Sequence, residues 1–276
     1  MTRAFAPGHI TGFFTAVERD DALDTGSRGA GIVVEDGVTV EVSDADDTKV
    51  KLNGERVEFE AVERVLGMSD VTATVDIEGD VPVGCGFGVS GAAALATSLA
   101  VNDEFALGKE REQMVAAAHV ADVLAGTGLG DVVPQSLGGV VTRIEPGAPE
   151  IGLFGEIDVE DPRVGYTVLG SLETADVLGD EEAMERVNKA GESALDGLLK
   201  EPSIDELVDL SWEFALESGL ATEKIQDEVG KVRSVGGKAS MAMLGETAFG
   251  VAAGNDEALE EFDEVTEVCV EGAKIL

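Results

Sequence analysis

The sequence predicts a mixed α+β protein of one large or two small domains, and its 276 residues suffice for a sizeable core. Residues 71–77 (VTATVDI) alternate apolar and polar side chains, which is the pattern of a half-buried strand. Residues 181–199 and 204–218 carry apolar residues at helical spacing. Prolines and glycines between residues 146 and 163 indicate a domain boundary near the middle of the chain.

The charge of the chain limits what it can bind. It holds 56 acidic and 19 basic residues, which gives a net charge of -37. Such a charge excludes nucleic acid and acidic membranes as partners, because both are anionic. We interpret it as adaptation to concentrated salt, where the Debye length falls to about 3 Å at 1 M. The alternative of a disordered acidic protein is disfavoured by the 44% of hydrophobic residues.

The cysteines and the lengths of the apolar runs indicate the cellular compartment of the protein. Cys85 and Cys269 have no metal-ligand spacing and form no disulfide framework, which suits a reducing cytoplasm. No apolar run reaches the roughly 20 residues that span a bilayer. The opening residues, MTRAFAPGH, lack the apolar stretch of a signal peptide. We therefore expect a cytoplasmic protein without a membrane partner.

Residues 80–101 (DVPVGCGFGVSGAAALATSLAV) are the most informative stretch. Alternating glycines let a ligand approach the main chain, and the free N–H groups at a helix start attract anions. The spacing fits neither the P-loop nor the Rossmann fingerprint, and a plain turn before a packed helix is the alternative. The predicted phosphate site consists of Pro82, Gly84, Cys85, Gly86, Phe87, Gly88, Val89, Ser90, Gly91 and Ala92.

Several segments before the glycine loop have a predicted structure. Residues 2–6 predict a first strand. Residues 24–31 (DTGSRGAG) predict a flexible loop that holds Ser27. Residues 31–34 and 38–42 predict a hairpin with Asp36–Gly37 as its turn.

After the glycine loop, residues 110–125 predict a helix on which His119 and Asp122 share a face. Gly126, Gly128 and Gly130 then form a loop that presents Asp131. Farther on, the sequence predicts a loop and then a hairpin, over residues 231–238, 239–244 and 247–252.

The glycine loop resembles the second motif of the GHMP small-molecule kinases, Pro-x-Gly-x-Gly-x-Gly-Ser-Ser-Ala-Ala. Pro82, Ser90 and Ala92 keep their places, as do the three glycines. Val89 and Gly91 replace the usual serine and alanine, which suggests a divergent branch.

Three further segments resemble GHMP motifs in the expected order. Pro7-Gly8-His9 is similar to the opening motif, and Asp131 to the aspartate loop that follows a helix. Gly236-Gly237 is loosely similar to the third motif. The resemblance implies a two-domain GHMP fold with ATP in the cleft between the domains. The first domain, residues 1–150, would resemble ribosomal protein S5 domain 2, and the second, residues 151–276, would be ferredoxin-like.

The resemblance also implies roles for individual residues. Asp131 would be the catalytic residue that accepts or orients a substrate hydroxyl proton, and Mg²⁺ would bind Ser90 and Asp122. The alternatives without a catalytic or metal-binding role are a capping aspartate at Asp131 and a solvated acidic residue on a helix at Asp122. The candidate substrate contacts are Ser27, His119, Arg143 and Thr174. The alternative for His119 is a structural histidine with its hydrogen bonds satisfied. The alternative for Arg143 is a surface ion pair.

The sequence segments within residues 80–150 are most similar to one archaeal branch of the family, whose enzymes phosphorylate the 4-hydroxyl of pantoate in coenzyme A biosynthesis. That resemblance implies ATP and Mg²⁺ as cofactors, pantoate as the small-molecule partner, and a homodimer. The alternatives are a GHMP kinase for mevalonate, homoserine or shikimate, and a non-catalytic regulatory protein of this fold. An acidic interaction protein would leave the glycine loop unexplained.

Overall fold

The computed structural model describes residues 1–171 and 181–276, and its strands form an eight-stranded and a four-stranded sheet. Helices pack on both sheets, so the predicted α+β class is confirmed. In the part of the chain described, no helix has both the length and the apolar composition needed to cross a bilayer.

The first sheet is organised by two long antiparallel strands, β1 (Thr2–Val17) and β2 (Gly26–Asp44). Strand β2 pairs on its other side with β5 (Ala73–Gly79) and, farther along, with β6 (Val140–Glu145). The remaining strands are β3 (Lys49–Leu52), β4 (Glu55–Arg56), β7 (Leu153–Ile157) and β12 (Lys274–Ile275).

The buried helix α2 (Val89–Glu104) begins at the glycine loop. Every residue from Gly91 to Val101 is buried, because small side chains let the helix lie close to its neighbours on all sides. It packs on β1 and β2 and against α1 (Glu60–Ser69) and α3 (Arg111–Ala125). The short helix α4 (Val132–Leu137) follows the aspartate loop.

The second sheet has the order β11-β8-β10-β9 and is antiparallel throughout. Two of its helices begin at hydroxyl caps, since Ser203 and Thr222 each accept a hydrogen bond from a first-turn N–H. The strands are β8 (Arg163–Gly170), β9 (Lys238–Met241), β10 (Glu246–Val251) and β11 (Glu264–Glu267). The helices are α5 (Glu181–Leu198), α6 (Ile204–Ser218), α7 (Glu223–Ser234) and a 3-10 helix (Asp256–Glu261).

The two sheets are linked by side-chain packing and by the C-terminal segment, which passes from the second sheet back to the first. The ring of Phe214 on α6 packs on Phe13 and Phe14 of β1 at centroid distances of 6.5 and 5.9 Å. After β11, the N–H of Val268 donates to the Pro162 carbonyl at 2.8 Å, and β12 then pairs with β1. Strands 153–157 and 274–275 thus belong to the first sheet. The predicted division into domains of residues 1–150 and 151–276 stays a prediction.

Two sequence predictions for the region before the glycine loop are wrong. Residues 24–31 are not a flexible loop and residues 31–42 are not a hairpin, since most of both segments lies in the single strand β2. The Asp36–Gly37 pair lies at a register shift between β1 and β2, opposite Pro7–Gly8. A methyl group on Gly37 would lie 2.3 Å from the Ala6 carbonyl oxygen, so this glycine serves a close approach of strands.

The predicted loop over residues 231–238 is also wrong, because α7 continues to Ser234. The neighbouring hairpin is confirmed as β9 and β10, with residues 242–245 between them. The predicted helices 110–125 and 204–218 are confirmed to within one residue at each end.

Candidate active site

A cavity opens beside the glycine loop, between the two sheets. The loop contributes Val83, Gly84, Gly86 and residues 88–91, and the aspartate loop contributes residues 125–131. Thr11 and Phe14 from β1 and Met243 and Leu244 from the β9–β10 connection close other sides. Predicted site residues that line it are Ser27, Gly84, Gly86, Gly88, Val89, Ser90, Gly91, Asp131 and Arg143.

The glycine loop has the backbone that an anion site requires. Gly84, Gly86 and Gly88 have φ of 79°, 90° and 61°, a region that side chains disfavour. Gly88 is the N-cap of α2, and no side chain caps the helix. The first-turn N–H groups and the positive end of the helix dipole are therefore available to a phosphate.

Distant segments hold this loop in place. The Thr247 hydroxyl donates to the Cys85 carbonyl at 2.7 Å. Gly245 lies so close that a methyl group there would come within 2.1 Å of the Cys85 carbonyl carbon. The Phe87 ring packs edge-on against Tyr166 of β8 at 5.0 Å. The second sheet thus shapes a loop that the first half of the chain encodes.

Asp131 lies at the start of α4, directly beside Gly88. Its Oδ1 is 2.7 Å from Nδ1 of His9 and accepts from the Thr11 hydroxyl at 3.3 Å. Burial acts to raise the pKa of Asp131, but the hydrogen bond from His9 and the charge of Arg143 outweigh it and hold the pKa below its ordinary value. The carboxylate is therefore ionised at neutral pH.

Arg143 is a buried cation at the same cavity, only 2% exposed. Within the residues described, its Nε has no hydrogen-bond partner. Burial lowers its pKa to about 10, so it stays charged at neutral pH. A methyl group on Gly130 would lie 2.1 Å from Ser27 Oγ and 3.0 Å from Arg143 Nε. Two polar groups suited to an anion therefore flank one glycine, which fits a carboxylate ligand.

Ser90, Thr127 and Asp122 form a hydrogen-bonded chain of oxygens below the glycine loop. Thr127 donates to Asp122 Oδ1 at 2.7 Å, and its oxygen is 2.7 Å from Ser90 Oγ. Burial, and then the charge of Asp131, raise the pKa of Asp122 to about 6. Among the residues described, no three carboxylate, imidazole or thiol groups cluster. One carboxylate and hydroxyls beside a phosphate site still fit Mg²⁺, which keeps several waters and takes phosphate oxygens as ligands.

Other predicted contacts lie elsewhere. His119 is buried, 3% exposed, and its Nε2 is 2.9 Å from the Thr25 carbonyl. Cys85, Phe87 and Ala92 face the core, and Pro82 is exposed. Thr174 lies outside the described residues.

The sequence left several residues of the site without a role. No sequence signal assigns a role to Thr11 or Thr127, and His9 is marked only as part of a motif. Gln135, which is fully buried, donates from Nε2 to the Gly88 carbonyl at 2.9 Å. Gly236-Gly237 lies in the turn between α7 and β9, whereas Gly245 meets the glycine loop.

Comparison with known proteins identifies the class of protein to which the chain belongs. Residues 55–139 match the family described as GHMP kinases N terminal domain. A homoserine kinase structure from Cytophaga hutchinsonii superposes with a TM-score of 0.70 at 15% identity over all of this chain and 97% of that chain, which shows the shared fold. The class defined by fold and site is thus an ATP-dependent kinase of the GHMP type.

Nearer relatives narrow the class. A protein of Methanocaldococcus jannaschii named pantoate kinase is 36% identical and is matched over 93% of this chain and 94% of its own. A second of that name, from Thermococcus kodakarensis, is 35% identical over 95% and 90%. A structure described as a phosphotransferase related to CoA biosynthesis pathway has a TM-score of 0.88 at 31% identity, covering 100% of this chain and 98% of that one. The chain belongs to the pantoate kinase family.

Proposed function

We propose that the chain transfers the γ-phosphoryl group of ATP to the 4-hydroxyl of pantoate. The observation that carries this proposal is the placement of one buried cation, Arg143, and one ionised carboxylate, Asp131, on the same cavity beside the glycine loop. A substrate with a carboxylate at one end and a hydroxyl at the other matches that pair. The names of the relatives support the same substrate.

The phosphate groups of ATP bind along the glycine loop in this proposal. Free N–H groups at the start of α2 and the helix dipole neutralise phosphate charge without a lysine. Ser90 and Asp122 would hold Mg²⁺, with Thr127 fixing both side chains. The metal ion, when bound, neutralises charge that develops on the phosphate oxygens.

The substrate carboxylate binds Arg143 and Ser27. A protein of net charge -37 repels a free anion. A buried guanidinium whose Nε has no partner among the described residues offers a local exception, because charge-assisted hydrogen bonds are strong where water is excluded. Thr174 and His119 stay predictions as further substrate contacts; Nε2 of His119 lies 2.9 Å from the Thr25 carbonyl.

Asp131 receives or orients the proton of the attacking hydroxyl. The hydroxyl oxygen forms a bond to the γ-phosphorus as the bond from that phosphorus to the bridging oxygen breaks, and the proton moves to Asp131. A carboxylate with a lowered pKa is a weak base, but the loose transition state of phosphoryl transfer needs little proton removal before the bond forms. Orientation is therefore the larger part of its role.

The proposal is tested by an ADP-release assay in about 1 M KCl with Mg²⁺, offering pantoate, mevalonate, homoserine and shikimate separately. We expect turnover with pantoate alone and a product phosphorylated at the 4-hydroxyl, identified by ³¹P–¹H correlation NMR. Turnover with another alcohol only would overturn the substrate and keep the kinase class. Nucleotide binding without any turnover would favour a regulatory role.

Two further properties belong to the proposal. We expect a homodimer, which is common among GHMP kinases, and light scattering in concentrated KCl measures its mass. We also expect a cytoplasmic location, because Cys85 and Cys269 are both free thiols.

A further inference from the structure

His9 links the two charged groups of the cavity. It lies in β1 with its side chain fully buried, and its N–H donates to the Phe87 carbonyl of the glycine loop at 2.9 Å. A methyl group on Gly31 of β2 would lie 2.4 Å from Nε2 of His9. The imidazole therefore occupies space that exists because residue 31 is glycine, and it cannot turn freely.

The contacts of the ring define its protonation state. Nδ1 is 2.7 Å from Asp131 Oδ1, and Nε2 is 3.4 Å from Nη1 of Arg143. A guanidinium has donors only, so Nε2 can pair with it only as an acceptor. The proton must then lie on Nδ1, where it is donated to Asp131. A second proton on Nε2 would face the Arg143 cation in a buried site.

The same contacts leave one oxygen of Asp131 for a ligand. Both hydrogen bonds to the carboxylate that the described residues provide, from His9 and Thr11, end on Oδ1. The Asp131 side chain is 21% exposed and lines the cavity. Oδ2 is thus available to a substrate hydroxyl while Oδ1 is fixed.

We infer that His9 is a positioning residue for phosphoryl transfer: a neutral imidazole, held at Nε2 by Arg143, that fixes Asp131 Oδ1 and turns Oδ2 toward the substrate hydroxyl. The inference rests on the proposed kinase function. It assigns His9 no contact with substrate. It also couples the site that binds the carboxylate to the site that orients the hydroxyl.

Two uncharged variants separate the two contacts. In His9→Asn, the amide nitrogen can take the position of Nδ1 and keep the donor to Asp131, while the acceptor for Arg143 is lost. In His9→Gln, the longer amide can accept from Arg143 near Nε2, while the donor to Asp131 is lost. We expect kcat to fall about 100-fold in the Gln variant, the cost of a misplaced catalytic group, and much less in the Asn variant.

The KM for pantoate and for ATP should change less than about threefold in both variants, because neither ligand contacts His9. Equal losses of kcat in the two variants would overturn the inference, as would a loss confined to KM. Melting temperatures are measured for both variants as a control. A folding defect would lower the melting temperature as well as kcat.

Nitrogen NMR of the imidazoles tests the inference without activity. The chain has two histidines, His9 and His119, so a ¹⁵N-histidine spectrum is simple, and the His9→Asn variant assigns it. The charged groups that act on the His9 ring are Asp131 from α4 and Arg143 from β6. Burial lowers the pKa of His9, and the nearby Arg143 lowers it further against the opposing effect of Asp131.

We expect His9 to show the Nδ1–H tautomer and to stay neutral across the neutral pH range. An Nε2–H tautomer or a protonated ring would overturn the inference. If pantoate proves not to be the substrate, the kcat comparison is made with the alcohol that the wild type phosphorylates. The NMR result stands in either case, so failure of the substrate and failure of the His9 assignment are distinguishable.

Discussion

Thr127 donates a hydrogen bond of 2.7 Å to Asp122, a carboxylate that is 2% exposed. Burial and the charge of Asp131 raise the pKa of Asp122 to about 6. Because the folded pKa lies above the ordinary value, the stability gained from the neutral form is present at low pH and is lost as the pH rises through about 6.

Asp122→Asn should therefore stabilise the metal-free protein at pH 8 and impair the enzyme. A side chain that is neutral at every pH avoids the cost of the buried charge, roughly 2 to 3 kcal/mol for a shift of this size. The Asn oxygen can still accept from Thr127, so the packing is kept. Melting temperature at pH 5 and pH 8 and the Mg²⁺ concentration for half-maximal rate measure the two effects.

Asp46→Asn is the matched control, since it removes one negative charge from an exposed position. An equal gain in stability in this control would mean that the net charge, and not the burial of Asp122, is responsible. An unchanged Mg²⁺ requirement in Asp122→Asn would remove Asp122 from the metal site.

Asp131→Asn should lower kcat by about 100- to 10,000-fold, the usual range for loss of a positioned proton acceptor. The amide fills the same space and its oxygen can accept from Nδ1 of His9, so folding and nucleotide binding should persist. Rates and calorimetric titration with a nonhydrolysable ATP analogue measure these. Phosphoryl transfer at the wild-type rate with nucleotide bound would show that Asp131 is not the catalytic carboxylate.

Arg143→Lys should raise the KM for pantoate about 10- to 100-fold and leave the KM for ATP unchanged. Lysine keeps a positive charge but loses the planar fork and Nε, and a charge-assisted hydrogen bond contributes about 1.5 to 3 kcal/mol. Arg3→Lys, on the exposed face of β1, is the control and should change neither constant. A rise in KM for ATP alone would place Arg143 at the nucleotide.

Gly245→Ala should raise the KM for ATP sharply. The new methyl group would lie 2.1 Å from the Cys85 carbonyl carbon, so the glycine loop must move. Gly230→Ala is the control: it lies within α7, nothing lies near its added methyl group, and alanine should stabilise the helix by roughly 0.5 to 1 kcal/mol. Nucleotide affinity measured by titration should fall only in the first variant.

Dilution of salt should unfold the protein, since repulsion among the acidic residues becomes unscreened. Circular dichroism followed from concentrated KCl to dilute buffer should show a cooperative loss of helix. Full activity and an unchanged spectrum in dilute buffer would contradict the halophilic interpretation of the charge.

The sequence predicted those parts of the site that neighbouring residues encode together. The glycine loop and the start of α2 are one continuous stretch of sequence. The helical spacing of apolar residues predicts α3, which precedes Asp131. Asp36–Gly37 misled because the pair typical of a hairpin turn also suits a bulge within a long strand, and only the partner strand β1 distinguishes the two.

The supporting contacts could not be predicted, because they join residues far apart in the chain. His9 and Asp131 are 122 residues apart, and Thr247 and Cys85 are 162 apart. Nothing in a single sequence specifies such pairs. The role of Thr127 is nearer in sequence, since it lies five residues after Asp122 in the glycine-rich loop.

The passage of the chain between the sheets has a mechanical consequence. It crosses once between β7 and β8 and again after β11, and Val268 donates to the Pro162 carbonyl where the two crossings run together. A single linker can swivel about its own axis, whereas two adjacent strands joined by a hydrogen bond resist torsion and bend mainly in one plane. Relative motion of the two sheets about this junction should therefore be a bend in one plane with little twist.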